Sequence, residues 1–180
     1  MALALSLGPV AGCTTDADPE VRKTSPTTTP TASTSASTTT PPPSQAQLDL
    51  QSAEKGISNF WTVLDRLAAD PRAKLDALAT VSRSPSLGVW QQQLTKQRID
   101  GRVQVGSSQV VQASATRKSA EEFAVVACID VSKVNVVDKA GKSVVSANRL
   151  PRVKYEYVVT EGRGADAGFY VTQDRATAAC

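Results

Sequence analysis

Carboxylates set among aromatic residues, tyrosines inside an alternating segment and three cysteines are the side chains here that are equipped for chemistry. Asp130 sits in the run Ala127-Cys128-Ile129-Asp130-Val131, and Asp65 follows Trp61 by one helical turn. Proton transfer would need one of them buried beside a partner, and the chain has no histidine, so the usual base near neutral pH and the commonest metal ligand are both missing. Alternation turns Asp130 away from the face of Phe123 and Ile129, which makes it an outward residue. Asp65 reads as a solvated charge on a helix flank. Tyr155 and Tyr157 share the apolar face of their strand and read as core. With Trp61 and Trp90 they are the residues available to line a pocket. No loop has calcium-ligand spacing, no glycine-rich phosphate loop follows a strand, and no serine has a partner base. Gly162-Arg163-Gly164 already has a conformational role in a turn. No catalytic, cofactor-binding or metal-binding residue is assigned, and no cofactor is expected.

The cysteines are more informative. Residues 2–12 are uncharged and end in Val10-Ala11-Gly12-Cys13, an apolar run too short to cross a bilayer as a helix. Those last four residues resemble the bacterial lipobox: an aliphatic residue, two small ones and a cysteine. The resemblance implies a signal peptide over 1–12, lipid on the Cys13 sulfur and a mature chain beginning there. Each buried CH₂ of such a chain contributes about 0.8 kcal/mol, and two or more chains hold a protein firmly to a membrane. Signals of this type carry Lys or Arg ahead of the apolar run, whereas this sequence opens Met1-Ala2-Leu3, so basic residues are expected upstream. With Cys13 taken by lipid, Cys128 and Cys180 remain as an even pair in an exported chain, which reads as a disulfide.

Between Cys13 and Ser44 the chain is Thr, Ser, Pro and Ala, with charges only near Cys13. Such a composition cannot bury enough apolar surface to offset the entropy of ordering, so 13–44 is expected to be a disordered tether. Pro26, Pro30 and Pro41 to Pro43 bias it toward polyproline II, giving a reach on the order of 90 Å at full stretch. The net charge of +3 is interspersed, with no basic stripe and aromatic partners of the kind nucleic acid requires.

The remaining stretch, 45–180, suits one domain. Ser44 and Gln47 have capping-box spacing. Leu50, Ala53, Ile57, Phe60, Trp61, Leu64 and Leu67 follow at three- and four-residue steps, predicting a helix over 45–69. Gly56 within it weakens the helix or marks a close contact. Asp70-Pro71 and Ser84-Pro85 each pair a capping residue with proline, predicting two further helices, through Leu75 and Leu78 and through Leu87, Trp90 and Leu94. After Arg98 the period falls to two. Arg102 to Val105 and Val111 to Thr116 read as one strand bent at Gly106, and Phe123 to Val137 as a longer one. Asp138 to Lys142 forms a turn with Gly141 in the left-handed position, Val153 to Val159 is a third strand, and Phe169 to Asp174 is the last. Short links make the strands antiparallel.

Helices first and an antiparallel sheet second define an α+β domain. The order of elements, the lipobox and the cysteine pair resemble the NTF2-like fold of actinobacterial lipoproteins and the extracytoplasmic domains of Mce-associated proteins. The residues that carry the likeness are Asn59-Phe60-Trp61, Ala127-Cys128-Ile129-Asp130-Val131 and Tyr155-Glu156-Tyr157 with the terminal cysteine. The resemblance implies a cone: three N-terminal helices packed on a curved antiparallel sheet. It also implies a lipoprotein on the outer face of the cytoplasmic membrane. There the domain would bind or assemble with an envelope protein or an apolar ligand. The same fold also carries SnoaL-like and ketosteroid-isomerase-like enzymes, so an enzyme or an apolar-ligand carrier is the alternative reading.

Overall fold

A computed structural model describes residues 42–180, so Cys13, the signal segment 1–12 and the tether as far as residue 41 lie outside it. Helix α1 spans Gln45–Ala69, and its capping box forms as the sequence predicts. The Ser44 side chain accepts from the Gln47 amide while the Gln47 side chain accepts from the Ser44 amide. Its buried stripe, from Ala53 through Phe60 to Ala68, lies against an antiparallel sheet. Gly56 is the close contact: a Cβ there would stand 3.3 Å from the Phe169 Cβ.

The described residues form an α+β unit built on a curved four-stranded sheet of order β2-β3-β5-β6, comprising Gln109–Arg117, Glu122–Asp130, Arg152–Gly162 and Gly168–Ala179. Phe123, Val125, Ala127 and Ile129 of β3 point to α1 together with Tyr157 and Val159 of β5. Full burial of each large apolar side chain is worth roughly 1.5–3 kcal/mol, and this layer is the main source of cohesion. Helix α1 also shields the free edge of β2. The Glu54 carboxylate accepts from the Ala115 amide at 3.0 Å, and Asp49 pairs with Arg117.

Several boundaries differ from the sequence reading. The expected bent strand from Arg102 to Thr116 is two strands in two sheets, with β1 (Val103–Val105) separate from β2. The expected strand from Phe123 to Val137 stops at Asp130, and Asn135–Val137 (β4) pairs with β1 instead. One side chain explains the stop. Asp130 Oδ1 accepts from the Ser132 amide at 2.9 Å, so the backbone turns rather than continuing the ladder. The two breaks meet at Gly106, whose φ of +80° and close approach to the Lys133 carbonyl leave no room for a Cβ.

Of the three expected helices, the middle one is a single 3₁₀ helix, Leu75–Thr80, because Asp70 ends α1 and turns onto the Arg72 amide instead of capping a new helix. Helix α2 (Ser86–Ile99) begins after a cis Ser84–Pro85 bond with no side-chain cap. Strand β6 runs five residues beyond the expected Asp174, to Ala179.

The Cys128–Cys180 disulfide is formed, with a Cα–Cα distance of 5.9 Å. Since β3 and β6 both pair with β5, they lie two strand spacings apart, about 9.6 Å. Cys180 therefore curls back toward β3, and the bridge staples the end of the edge strand to the middle of the sheet. No helix of the described residues is long and apolar enough to cross a membrane.

Candidate functional site

The four pocket-lining residues proposed from the sequence are placed close together and pack mainly against one another, with Tyr157 and Trp61 each also bordering a surface depression. Trp61 stands edge-on to Phe60, Trp90 and Tyr155, with ring centroids 6.2, 6.1 and 5.4 Å away. Tyr155 stacks on Tyr157 at 5.8 Å. These geometries are the preferred ones for aromatic pairs. The polar tips are accounted for within the cluster. Trp61 Nε1 donates to the Tyr157 hydroxyl at 2.8 Å, and Trp90 Nε1 donates to the Asp174 carboxylate, which also accepts from the Ser86 hydroxyl at 2.6 Å. Burial pushes both tyrosine hydroxyls up, Tyr157 far above the ordinary phenol range. A phenol held neutral in this way acts as a hydrogen-bonding core group, not as a proton carrier near neutral pH.

The two carboxylates singled out from the sequence lie apart. Asp130 faces away from the core, as alternation requires. Hydrogen bonds from the Ser132 hydroxyl and amide, and then from Arg152, hold its carboxyl down to about 2. It is therefore ionised throughout the neutral range. Asp65 is not the free solvated charge that its helical position suggested. It accepts from the Ser108 amide and hydroxyl, each at 2.8 Å to Oδ2, and from the Gln104 side chain at 2.7 Å. It thereby ties β1 and the segment after it to the last turns of α1. Asp65→Ala leaves the Ser108 amide without its acceptor, and the expected cost is about 1–3 kcal/mol in urea unfolding. Faster hydrogen exchange at Ser108 should accompany it, and Asp65→Asn, which keeps one acceptor, should lose less.

Among the described residues, two surface depressions border this cluster. One, about 670 Å³, lies between the start of α2 and the outer face of the sheet, where Val89, Ala124, Val126 and Val158 give it an apolar floor and Glu156 and Arg175 pair at 2.5 Å beside it. The other, about 520 Å³, lies where α1 passes the beginning of β2. Its lining mixes polar side chains, among them Ser58, Gln109, Asp130 and Arg152, with the apolar Trp61, Val110 and Val111. A bulge in β2 between Val110 and Gln112 shapes this second groove. Among the described residues, no group of His, Cys, Asp and Glu is arranged to hold a metal ion. Gln109, Arg152, Ser58 and Thr62 carried no signal in the sequence, since each is an ordinary polar residue on an exposed face. The register that brings them together is a property of the fold.

No protein-family model and no curated protein matches the chain. The fold is similar to the crystal structure of the intermembrane space region of the chloroplast protein ARC6, over 73% of this chain and 98% of that one. The identity is 15% and the TM-score 0.54, so the likeness is one of fold.

Proposed function

We propose that this protein is a membrane-anchored envelope lipoprotein, held by lipid on Cys13 and carrying an NTF2-like cone as a non-enzymatic module for binding or assembly. The observation that carries the reading is the Cys128–Cys180 disulfide. Disulfides persist in oxidising, extracytoplasmic compartments, and one that staples an edge strand belongs to a domain working there. The similar ARC6 structure is an intermembrane space region, which supports the same kind of setting between membranes. An enzyme or an apolar-ligand carrier on this fold needs an open chamber between helix and sheet. Phe60, Trp61, Trp90, Tyr155 and Tyr157 occupy that space with one another, which favours the binding or assembly module.

Fractionation and mass spectrometry test the anchor. Expressed in a bacterium that matures lipoproteins, the full chain is expected in the membrane fraction with diacylglyceryl on Cys13. Cys13→Ser is expected to move it to the soluble fraction. Wild-type protein recovered from cytosol, with an unmodified amino terminus and reduced Cys128 and Cys180, would overturn the proposal.

A further inference from the structure

Residues 131–151 hold Lys133, Lys139, Lys142 and Arg149 against Asp138 alone, an excess as large as the net charge of the whole chain. The fold gathers this excess around the two-stranded ribbon of β1 and β4. Gln104 turns inward to Asp65, so its neighbours Val103 and Val105 lie on the opposite face, across from Val137 and Asn135. A lysine stands at each end of this valine stripe. The Lys139 stem takes the place that a Gly101 side chain would fill, two residues before Val103, and the Lys133 carbonyl abuts Gly106, just after Val105. Lys133, Lys139 and Lys142 are exposed and enter no ion pair among the described residues. Asp138 is occupied by its own turn, where it accepts from the Ala140 and Lys142 amides. Ile99 ends α2 two residues before Gly101. At 75% and 54%, Ile99 and Val105 are the most exposed large apolar side chains among the described residues.

We infer that this ribbon is a docking surface for an anionic lipid bilayer. Uncompensated lysines around exposed aliphatic side chains match a phospholipid surface in both parts. The ammonium groups meet lipid phosphates while Ile99 and Val105 enter the boundary of the acyl chains. Lysine suits the task, because its stem lies along apolar surface while its charge stays in water. An acidic protein partner would instead call for aromatic or arginine anchors. Residues 99–106 and 131–151 contain no aromatic side chain. Their two arginines are engaged, Arg102 by Asp100 and Arg149 by the Val131 and Val134 carbonyls. The choice of a bilayer also rests on the anchored setting proposed above, in which the chain from Cys13 to Ser44 keeps the domain within reach of one. Contact of this size is reversible and does not by itself hold a protein on a membrane. The Cys13→Ser chain therefore still leaves the membrane on fractionation.

The test uses the full chain carrying Cys13→Ser, so that no lipid anchor contributes. Its probes are vesicles of phosphatidylcholine alone and of equal parts phosphatidylcholine and phosphatidylglycerol. Sedimentation at about 0.1 M salt is expected to show binding to the mixed vesicles and little to phosphatidylcholine. Binding should vanish at about 1 M salt, where the Debye length falls to about 3 Å. Lys133→Gln, Lys139→Gln and Lys142→Gln together are expected to weaken binding about a hundredfold, at about fivefold for each lysine. Ile99→Ser with Val105→Ser, both at exposed positions, should weaken it about tenfold. Lys55, Lys74 and Lys118 are exposed on other elements, and their joint replacement by Gln should leave the affinity unchanged. Unaltered urea unfolding checks that each variant is folded. No binding to the mixed vesicles, equal binding to both kinds, or an equal loss in the two lysine triples would overturn the inference. None of these outcomes bears on whether the wild-type chain carries diacylglyceryl on Cys13, so failure of the docking surface and failure of the anchor are told apart.

Discussion

Replacing Cys128 and Cys180 together by serine is expected to cost the folded domain about 4 kcal/mol at 25 °C on the chain-entropy account of cross-links. The size follows from the 52-residue separation of the two cysteines, which the bridge closes into a loop in the unfolded chain as well as the folded one. The position of the bridge says where the loss should show first. Residues 175–179 of β6 are exposed along their length and β6 is an edge strand, so beyond β5 the bridge is their principal restraint. Besides the backbone ladder, which runs to the Val153–Ala179 pair, β5 adds the Arg175–Glu156 ion pair and a bond from the Thr177 hydroxyl to the Lys154 carbonyl. Exposed pairs of that kind are worth about 0–1 kcal/mol. Urea titration of the double-serine variant should give the global loss, and hydrogen exchange should find protection falling first at the end of β6 while β3 keeps its own. A loss below about 1 kcal/mol would mean that the denatured chain already holds these ends together, contrary to the chain-entropy account.

The sequence made some of this domain legible and hid the rest for identifiable reasons. Helix α1 was readable to its ends because local and global signals agree there: Ser44 and Gln47 cap it, its apolar stripe keeps helical period, and Asp70-Pro71 stops it. The inner faces of β3 and β5 were readable because alternation between Phe123 and Ile129, and between Tyr155 and Val159, directly reports one buried face. What failed were places where a side chain competes with the backbone. Asp130 captures the Ser132 amide and ends the expected strand, and Asp70 captures the Arg72 amide instead of capping the expected second helix. Asp65 failed for the opposite reason. Helical position alone says that it lies on a flank, whereas its partners Gln104 and Ser108 come from a segment some forty residues later, brought back only when the sheet closes on α1. The polar row of Gln109, Asp130 and Arg152 belongs to the same class of hidden feature, since it exists only once three strands are in register.

Truncating Trp61 to alanine separates a core aromatic from a ligand-facing one. The side chain is 9% exposed and touches three other rings, so Trp61→Ala is expected to cost about 3–5 kcal/mol, as for other large aromatic deletions from a packed interior. A tryptophan serving chiefly as a platform for a ligand would lose less than about 1 kcal/mol of stability, in line with surface substitutions. The hydrogen bond to Tyr157 can then be isolated. Tyr157→Phe leaves the buried Trp61 N–H without its acceptor and should cost about 1–3 kcal/mol, while Trp61→Phe leaves the Tyr157 hydroxyl stranded as well as losing ring volume. The double variant removes both polar groups at once, so its loss should be smaller than the sum of the two single losses. A coupling of about 0.5–3 kcal/mol in that double-mutant cycle is the expected reading. Strict additivity would show that water already satisfies the indole N–H, reaching it from the groove that Trp61 borders.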